Sequence, residues 1–410
     1  MKSIVMNWKK KQIEFLTAGE MGRNIYLSGK AGTGKSTVAT ELMERFKKSK
    51  IKFIAVAPTG RAASNIGGET IHSMFRIDPH IIVKGPEDCN FINKVKMQVL
   101  KKATVIFIDE GSMCRSDLVM AMHYTLIKNG VATGLKGKQT IWIGDMKQLP
   151  PIASDNERSI LLSMYDGITL FDAPIMSDLS LLHIDLDEIV RQSDIEFIEA
   201  LNIVRDGGKS TYFRQFVTTE PSGVILASKN ETVNRYNEEG LKKQEGKEYV
   251  FDAEYSGNVK TGDFNLDAQI KVKNGCKVMY LVNSKDNPLR NGTIGELVIK
   301  YNTDLRAGMD KDNPAVKLFF KYNGTEWPIE LYTAKKQEYV YNKDKDEFEL
   351  KDKGSITQYP IRLAYAMTIH KAQGMTFEDM TADFRGSFMR EQYYVALSRA
   401  TGPDALKIII

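Results

Sequence analysis

Residues 29–36 read Gly29-Lys30-Ala31-Gly32-Thr33-Gly34-Lys35-Ser36, between an apolar run at 24–28 and a stretch in which Val38, Leu42 and Phe46 recur every four residues. That order is strand, tight turn, helix. The spacing is G-x-x-x-x-G-K-[ST], whose glycines let backbone N–H groups turn inward around phosphate oxygens. The start of the following helix adds partial positive charge. Lys35 supplies a cation for the outer phosphates, Ser36 a hydroxyl for Mg²⁺, and Thr37 stands beside it. Such a turn joins a strand to a helix, so it commits the chain to an α/β sheet. There, ligands collect at the carboxyl ends of the strands.

Further apolar runs at 53–57, 104–108 and 140–144 alternate with helical patterns, which argues for a parallel sheet covered on both faces. Two of them end in chemistry. Asp109-Glu110 follows VIFI; alone, such a pair more commonly means a helix N-cap, but beside the phosphate loop one carboxylate suits a Mg²⁺ ion and its neighbour can polarise water. Gly144-Asp145-Met146-Lys147-Gln148-Leu149-Pro150-Pro151 places Gln148 on a proline-stiffened turn, fit to sense a terminal phosphate or merely to close a loop.

A second α/β unit begins near residue 180. Ile195, Ile198, Leu201 and Val204 mark a helix face, and 224–228, 277–282, 361–366 and 406–410 read as strands. Residues 297–357, rich in Lys, Asp, Tyr and Asn with short alternating stretches, read as a β insertion with hairpins. Residues 76–102 form another insertion. The 57 Lys+Arg against 52 Asp+Glu give +5, which permits a polyanionic partner without requiring one. Cys89, Cys114 and Cys276 lie too far apart for metal-ligand spacing and read as idle thiols of a reducing compartment. No apolar run reaches membrane-spanning length, and the basic start lacks the apolar stretch of a signal peptide.

The series GKAGTGKST, APTGRAASNIGGETIHSMF, IDEGSM, GDMKQLPP, IVRQSD, AMTIHKAQGMT and YVALSRA, running from about residue 12 to 401, resembles superfamily-one helicases. It is most similar to the Pif-type and RecD/Dda-like branch, whose members move 5′ to 3′ on single-stranded DNA. The resemblance implies two RecA-like P-loop lobes, 1–178 and 179–410, with ATP and Mg²⁺ as cofactors. Insertion 76–102 would be a strand-separating wedge and insertion 297–357 an SH3-like β module. It implies an adenine-reading Gln12; a phosphate loop of Gly29, Ala31, Gly32, Thr33, Gly34, Lys35, Ser36 and Thr37; Mg²⁺ held through Ser36 and Asp109; and catalytic Lys35, Asp109, Glu110 and Gln148. From the second lobe it implies Arg191 and Arg399 on the γ-phosphate, beside Gln373 and Gly374. An arginine so placed is worth roughly 10³–10⁵ in rate, against about 0–1 kcal/mol for a surface ion pair.

The same resemblance assigns the DNA track to Thr59, Gly60, Thr70, His72 and Phe75 on one lobe and Thr368, His370 and Lys371 on the other. Phe75 reads equally as a base-stacking ring and as a core aromatic. Ala372 stands where the family commonly has serine, and Gly111 where a branched apolar residue is usual. The expected activity is ATP-driven translocation and duplex unwinding by a monomer acting on single-stranded and forked DNA, alongside single-strand-binding or replication proteins. The expected setting is the cytoplasm of a bacterial or phage-infected cell, away from membranes, with no accessory domain after the last motif. Two rivals share the motifs: a translocating ATPase without strand separation, and an ATP-gated subunit of a recombination complex. An RNA track also stays open at this point.

Overall fold

The structure is a computed structural model that describes residues 8–30, 32–78, 84–151, 153–187, 194–261, 264–282, 284, 287–301, 316–342, 347–387 and 390–410. Its chain forms two compact units, one of residues 1–192 with 337–352 and one of the remainder.

The first unit carries β1 (Ile25–Gly29), β2 (Phe53–Ala57), β3 (Glu69–Thr70), β4 (Val105–Ile108), β5 (Gln139–Ile143) and β6 (Leu182–Leu186). All run parallel in the order β3-β2-β4-β5-β1-β6. Alternate residues serve two separate cores. Ile25, Leu27, Val105, Phe107, Ile141 and Ile143 pack on one face against α1 (Lys10–Glu20) and α2 (Lys35–Lys48), through Phe15, Leu16, Val38, Leu42 and Phe46. Tyr26, Ile106, Ile108 and Trp142 enter the core of the opposite face. With both faces buried, the strands carry near-continuous apolar runs, which is why four of them were legible from sequence.

Three expectations change here. Because β6 pairs along its length with β1, the first unit runs to residue 192, not to 178. The expected insertion at 76–102 is smaller, since the helix Lys94–Lys102 buries Val99 and Leu100 in the core and leads into β4. Lys96 of that helix is buried with Glu69 and donates to the Ser73 carbonyl at 2.6 Å. Phe75 is fully buried in the same core, so it is a packing residue and offers no ring to a base.

In the second unit, β7 (Val224–Ala227) precedes a run of strands, β8 (Glu248–Asp252), β9 (Glu254–Gly257), β10 (Gln269–Lys273), β11 (Lys277–Tyr280), β12 (Ile294–Tyr301), β13 (Val316–Tyr322), β14 (Thr325–Ile329), β15 (Tyr332–Asn342), β16 (Glu347–Gln358) and β17 (Ile361–Leu363), of which the part of β15 and β16 within residues 337–352 groups with the first unit. The chain then returns as β18 (Ala366–Thr368), β19 (Met380–Asp383) and β20 (Leu406–Ile409), which complete a parallel sheet in the order β18-β7-β19-β20. The β insertion thus spans 248–363 rather than 297–357. β11 and β17, expected in the parallel sheet, pair antiparallel with each other inside it. Its own core, built on Val278, Leu297, Leu318, Phe320 and Ile361, explains the difference.

At the end of β19, Asp383 is fully buried, and Arg385 donates to both its oxygens at 3.0 and 2.7 Å. Tyr236 donates to it at 2.9 Å. Burial alone would raise this carboxyl, but the bonds from Arg385 and Tyr236 outweigh it and hold the group below its ordinary value.

Phe75→Ala should cost about 3–5 kcal/mol of stability, read by denaturant unfolding, while Phe75→Leu should leave DNA affinity unchanged. A depressed carboxyl stabilises the fold above its unfolded value and loses that contribution as pH falls through the folded one. Arg385→Ala should therefore lower the melting temperature at pH 7, and the gap from the parent should close as pH drops below about 3.9.

Candidate nucleotide and nucleic-acid sites

β4, β5 and β1 are neighbours, so the turns that follow them leave the sheet side by side at one edge, about 5 Å apart per strand. Those turns are the glycine-rich loop, Asp109-Glu110 and the Gln148 loop. In the first, Gly32 and Gly34 have φ of +83°, a left-handed conformation that favours glycine. A Cβ on Gly34 would stand 3.2 Å from the Gln12 amide nitrogen. Gln12 itself is buried; its amide donates to the Thr33 carbonyl at 3.3 Å and accepts from the Lys9 N–H at 3.1 Å. The Lys35 ammonium donates to the carbonyls of Gly29 at 2.7 Å and Lys30 at 3.1 Å. Ser36 and Thr37 open α2 in exposed positions, and Ala31 lies outside the described residues.

Asp109 is buried, and its Oδ1 accepts from the Glu110 N–H at 2.9 Å. Burial, together with the neighbouring Glu110, pushes its carboxyl up to about 7, against the pull of the Glu110 N–H and the Lys35 ammonium. Glu110 has φ +50°, a strained backbone of the kind that gathers at working sites. Gln148 is buried too, and its amide donates to Asp145 Oδ2 at 3.3 Å. Asp145, also buried, accepts from the Lys147 N–H at 3.1 Å. Sequence reasoning passed over Asp145, although an acidic residue directly after an apolar strand was the available signal. It also passed over Ser112, whose backbone N would meet a Cβ on Gly144 at 2.8 Å, so the acidic turn and the Gln148 loop touch through a glycine.

These groups fit a nucleotide phosphate chain with a divalent cation. The loop's positive-φ glycines and Lys35 suit the phosphates, and a buried carboxyl held above its ordinary value by burial gains from a nearby metal charge.

Threonines cap three turns at strand ends, two of them leading into helices. Thr59 Oγ1 accepts from the Ala62 N–H, Thr70 Oγ1 from Ser73, and Thr368 Oγ1 from Lys371, each at 3.2 Å. A hydroxyl that accepts in this way still has its own proton to donate. Gly60 starts the helix Gly60–Ile66, and the His72 ring bonds the Ile77 carbonyl at 3.1 Å, which gives it a structural role as well. In the second unit, Thr368, His370, Lys371, Gln373 and Gly374 form one turn after β18, closed by bonds from Ala372 to Thr368 and from Gln373 to His370. Gly374 has φ +78°. Burial lowers the His370 pKa from its ordinary value.

Arg399 departs from expectation. It is 1% exposed, and its guanidinium donates to the carbonyls of Val395 at 2.9 Å and Met375 at 3.3 Å and to Ser398 Oγ at 2.8 Å. In this structure it braces the turn carrying Gln373 and Gly374 rather than reaching outward. Arg191 lies outside the described residues.

A phosphate loop, an acidic strand end and a glutamine turn on one parallel α/β unit, followed by a second parallel unit split by a β module, define a two-lobed P-loop protein of the superfamily-one helicase class. The chain belongs to the PIF1-like helicase family, whose model matches residues 9–212. It is 30% identical to the ATP-dependent DNA helicase Pif1 of Campylobacter jejuni, over 94% of this chain and 88% of that protein. Unliganded Pif1 from Bacteroides superposes with a TM-score of 0.82 at 28% identity, covering 98% of this chain and 92% of that one. Bacteroides Pif1 in complex with ADP-AlF3 and single-stranded DNA matches at 0.68 and 29% identity, with the same coverage. Among the described residues no helix is long and apolar enough to cross a membrane.

Gly34→Ala places a Cβ in the left-handed region, at about 1–2 kcal/mol, and presses on Gln12. The melting temperature should fall by a few degrees, and nucleotide affinity, followed by titration with a fluorescent ATP analogue, should drop as well.

Proposed function

We propose that this chain is an ATP-dependent DNA helicase that moves 5′ to 3′ along single-stranded DNA and separates duplex at a fork. The observation that carries this reading is the alignment of the Gly29–Ser36 loop, Asp109-Glu110 and Gln148 on neighbouring strand ends of the first unit, in a chain whose second unit is also a parallel sheet with polar strand-end turns.

In this mechanism Lys35 and the loop N–H groups hold the phosphates of ATP, and Ser36 and Asp109 hold Mg²⁺. The metal, when bound, neutralises charge on the phosphates. Glu110 accepts a proton from the attacking water, and Gln148, positioned by Asp145, reads the terminal phosphate. Gln12 lies against the loop that carries Thr33 and is suited to the adenine edge. Family resemblance assigns Arg191 and Arg399 to the terminal phosphate; for Arg399 this requires its guanidinium to exchange its carbonyl partners for phosphate during the cycle.

Thr59, Gly60, Thr70 and His72 on one unit, and Thr368, His370 and Lys371 on the other, contact the strand's phosphates. Hydroxyls, backbone N–H groups and an imidazole suit contacts without sequence preference. The candidate wedge is the described part of the 76–102 insertion that precedes the helix Lys94–Lys102. Asn90 Nδ2 donates to the Arg76 carbonyl at 2.9 Å, and Ile92 N–H to Asn129 Oδ1 at 2.9 Å. It presents Phe91, 68% exposed. Breaking a base step costs about 1.4 kcal/mol, and an exposed ring is suited to occupy the vacated stack.

The test is strand separation with Mg²⁺-ATP on matched duplexes bearing a 5′ or a 3′ single-stranded tail. Unwinding from the 5′ tail alone is expected, and Lys35→Ala should abolish it along with ATP hydrolysis while retaining DNA binding. Unwinding only from the 3′ tail would overturn the direction. DNA-stimulated hydrolysis without unwinding of either substrate would overturn strand separation.

A further inference from the structure

The acidic turn and the glutamine turn of the first unit meet at one buried hydroxyl. Ser112 stands in the single turn Gly111–Met113 that follows Asp109-Glu110. Bonds from Met113 N–H to the Glu110 carbonyl at 2.9 Å and from Cys114 N–H to the Gly111 carbonyl at 3.0 Å fix its backbone. Ser112 is 1% exposed, and among the described residues its Oγ has no hydrogen-bond partner. A Cβ added to Gly144 would stand 2.8 Å from the Ser112 backbone N and 3.2 Å from its Oγ. The bare glycine thus lets the hydroxyl lie against the end of β5, beside the residue that precedes Asp145. An orphaned buried hydroxyl costs stability. Kept at the junction of two turns of the nucleotide site, it calls for a partner in another state of the cycle.

Asp145 is where that partner arises. Its carboxyl is buried and accepts from the Lys147 N–H at 3.1 Å and from the Gln148 amide at 3.3 Å. The second bond is longer than the about 2.7–3.2 Å usual for an N–H donor, so it is the one to yield when the Gln148 amide turns to a terminal phosphate. Asp145 then loses a donor while still shielded from water, which is costly for a carboxyl. A serine hydroxyl has three staggered χ1 positions, so it redirects without moving its backbone. It can donate its proton as well as accept. The Ser112 hydroxyl is therefore the donor at hand to replace the amide.

We propose that Ser112 is a positioning residue for Gln148: its hydroxyl donates to Asp145 when the Gln148 amide leaves that carboxyl for the terminal phosphate of ATP, and lets go when that phosphate is lost. The inference rests on the reading of this chain as an ATP-driven helicase and adds to it a hydrogen-bond exchange that ties the acidic turn to the glutamine turn. The exchange keeps the buried carboxyl supplied with donors, so the amide is released at little cost. It operates only with a triphosphate, because a diphosphate has no terminal group to draw the amide away.

The experiment compares the full chain with Ser112→Ala, Gln148→Ala and the double variant. For each, the melting temperature is read without nucleotide. Affinities for ADP and for a non-hydrolysable ATP analogue, both with Mg²⁺, are read by displacement of a fluorescent nucleotide. Ser112→Ala removes a hydroxyl that has no partner in this state, so the melting temperature should hold or rise. Affinity for ADP should stay unchanged, and affinity for the analogue should fall about tenfold. In the Gln148→Ala background, where no amide leaves Asp145, the same substitution should no longer change the ratio of the two affinities. A melting temperature lowered by several degrees, equal losses for both nucleotides, no loss for either, or a ratio that still shifts without Gln148 overturns the exchange. In each of those cases DNA-stimulated ATP hydrolysis by the parent in the same preparation leaves the helicase reading standing, and its absence overturns that reading as well.

Discussion

Burial of one parallel sheet on both faces is the constraint on which the first unit depends. A parallel strand has no hairpin to return it, so every crossover must pass over a face, and helices cover both. All carboxyl ends then emerge at one edge. Ile143 pairs with Leu27, and Ile108 with Trp142, so the three turns that carry Gly29–Ser36, Asp109 and Gln148 start from nearly the same height. Proximity of groups 35 to 148 in sequence is produced by strand order, and no loop has to find its place independently.

The apolar surroundings that make the sheet stable also tune the groups at its edge. Asp109 and Asp145 are buried carboxyl side chains at the border of a dry core, where leaving water is costly unless hydrogen bonds or a cation repay it. Asp145 is repaid by the Lys147 N–H and the Gln148 amide, and so becomes a fixed mount for that amide. Asp109 is repaid only in part, which leaves its carboxyl high. Similar environments thus yield two different roles, decided by how many donors reach each oxygen.

The second unit repeats the parallel logic at smaller scale and adds an antiparallel body with its own core. Inserting that body between β7 and β18 separates two adjacent strands by more than a hundred residues, and the gap is bridged by details such as Asn237, which pairs with the Ala366 backbone like a strand partner. Arg399, tied to the carbonyls of Val395 and Met375, holds the last helix to the turn after β18. Backbone bonds from Phe377 N–H to the Arg399 carbonyl and from Thr401 N–H to the Phe377 carbonyl add to that tie.

Much of this was legible in the residue order because it is local. The phosphate loop, the acidic pair and the glutamine turn each declare themselves within eight residues, and strands buried on both faces appear as unbroken apolar runs. β6, with His183 and Asp185 interrupting its pattern, did not, nor did the two-residue β3. The sequence by itself determined the class of fold, the nucleotide chemistry and the family, since these rest on short segments whose backbone geometry permits few alternatives. Only the tertiary structure decided that Phe75 packs rather than stacks, that helix Lys94–Lys102 belongs to the core, that the β insertion begins at 248, and that Arg399 is buried. Each of those depends on which distant side chains fill the space around a residue, and burial is a property of the assembled layers that no local pattern encodes.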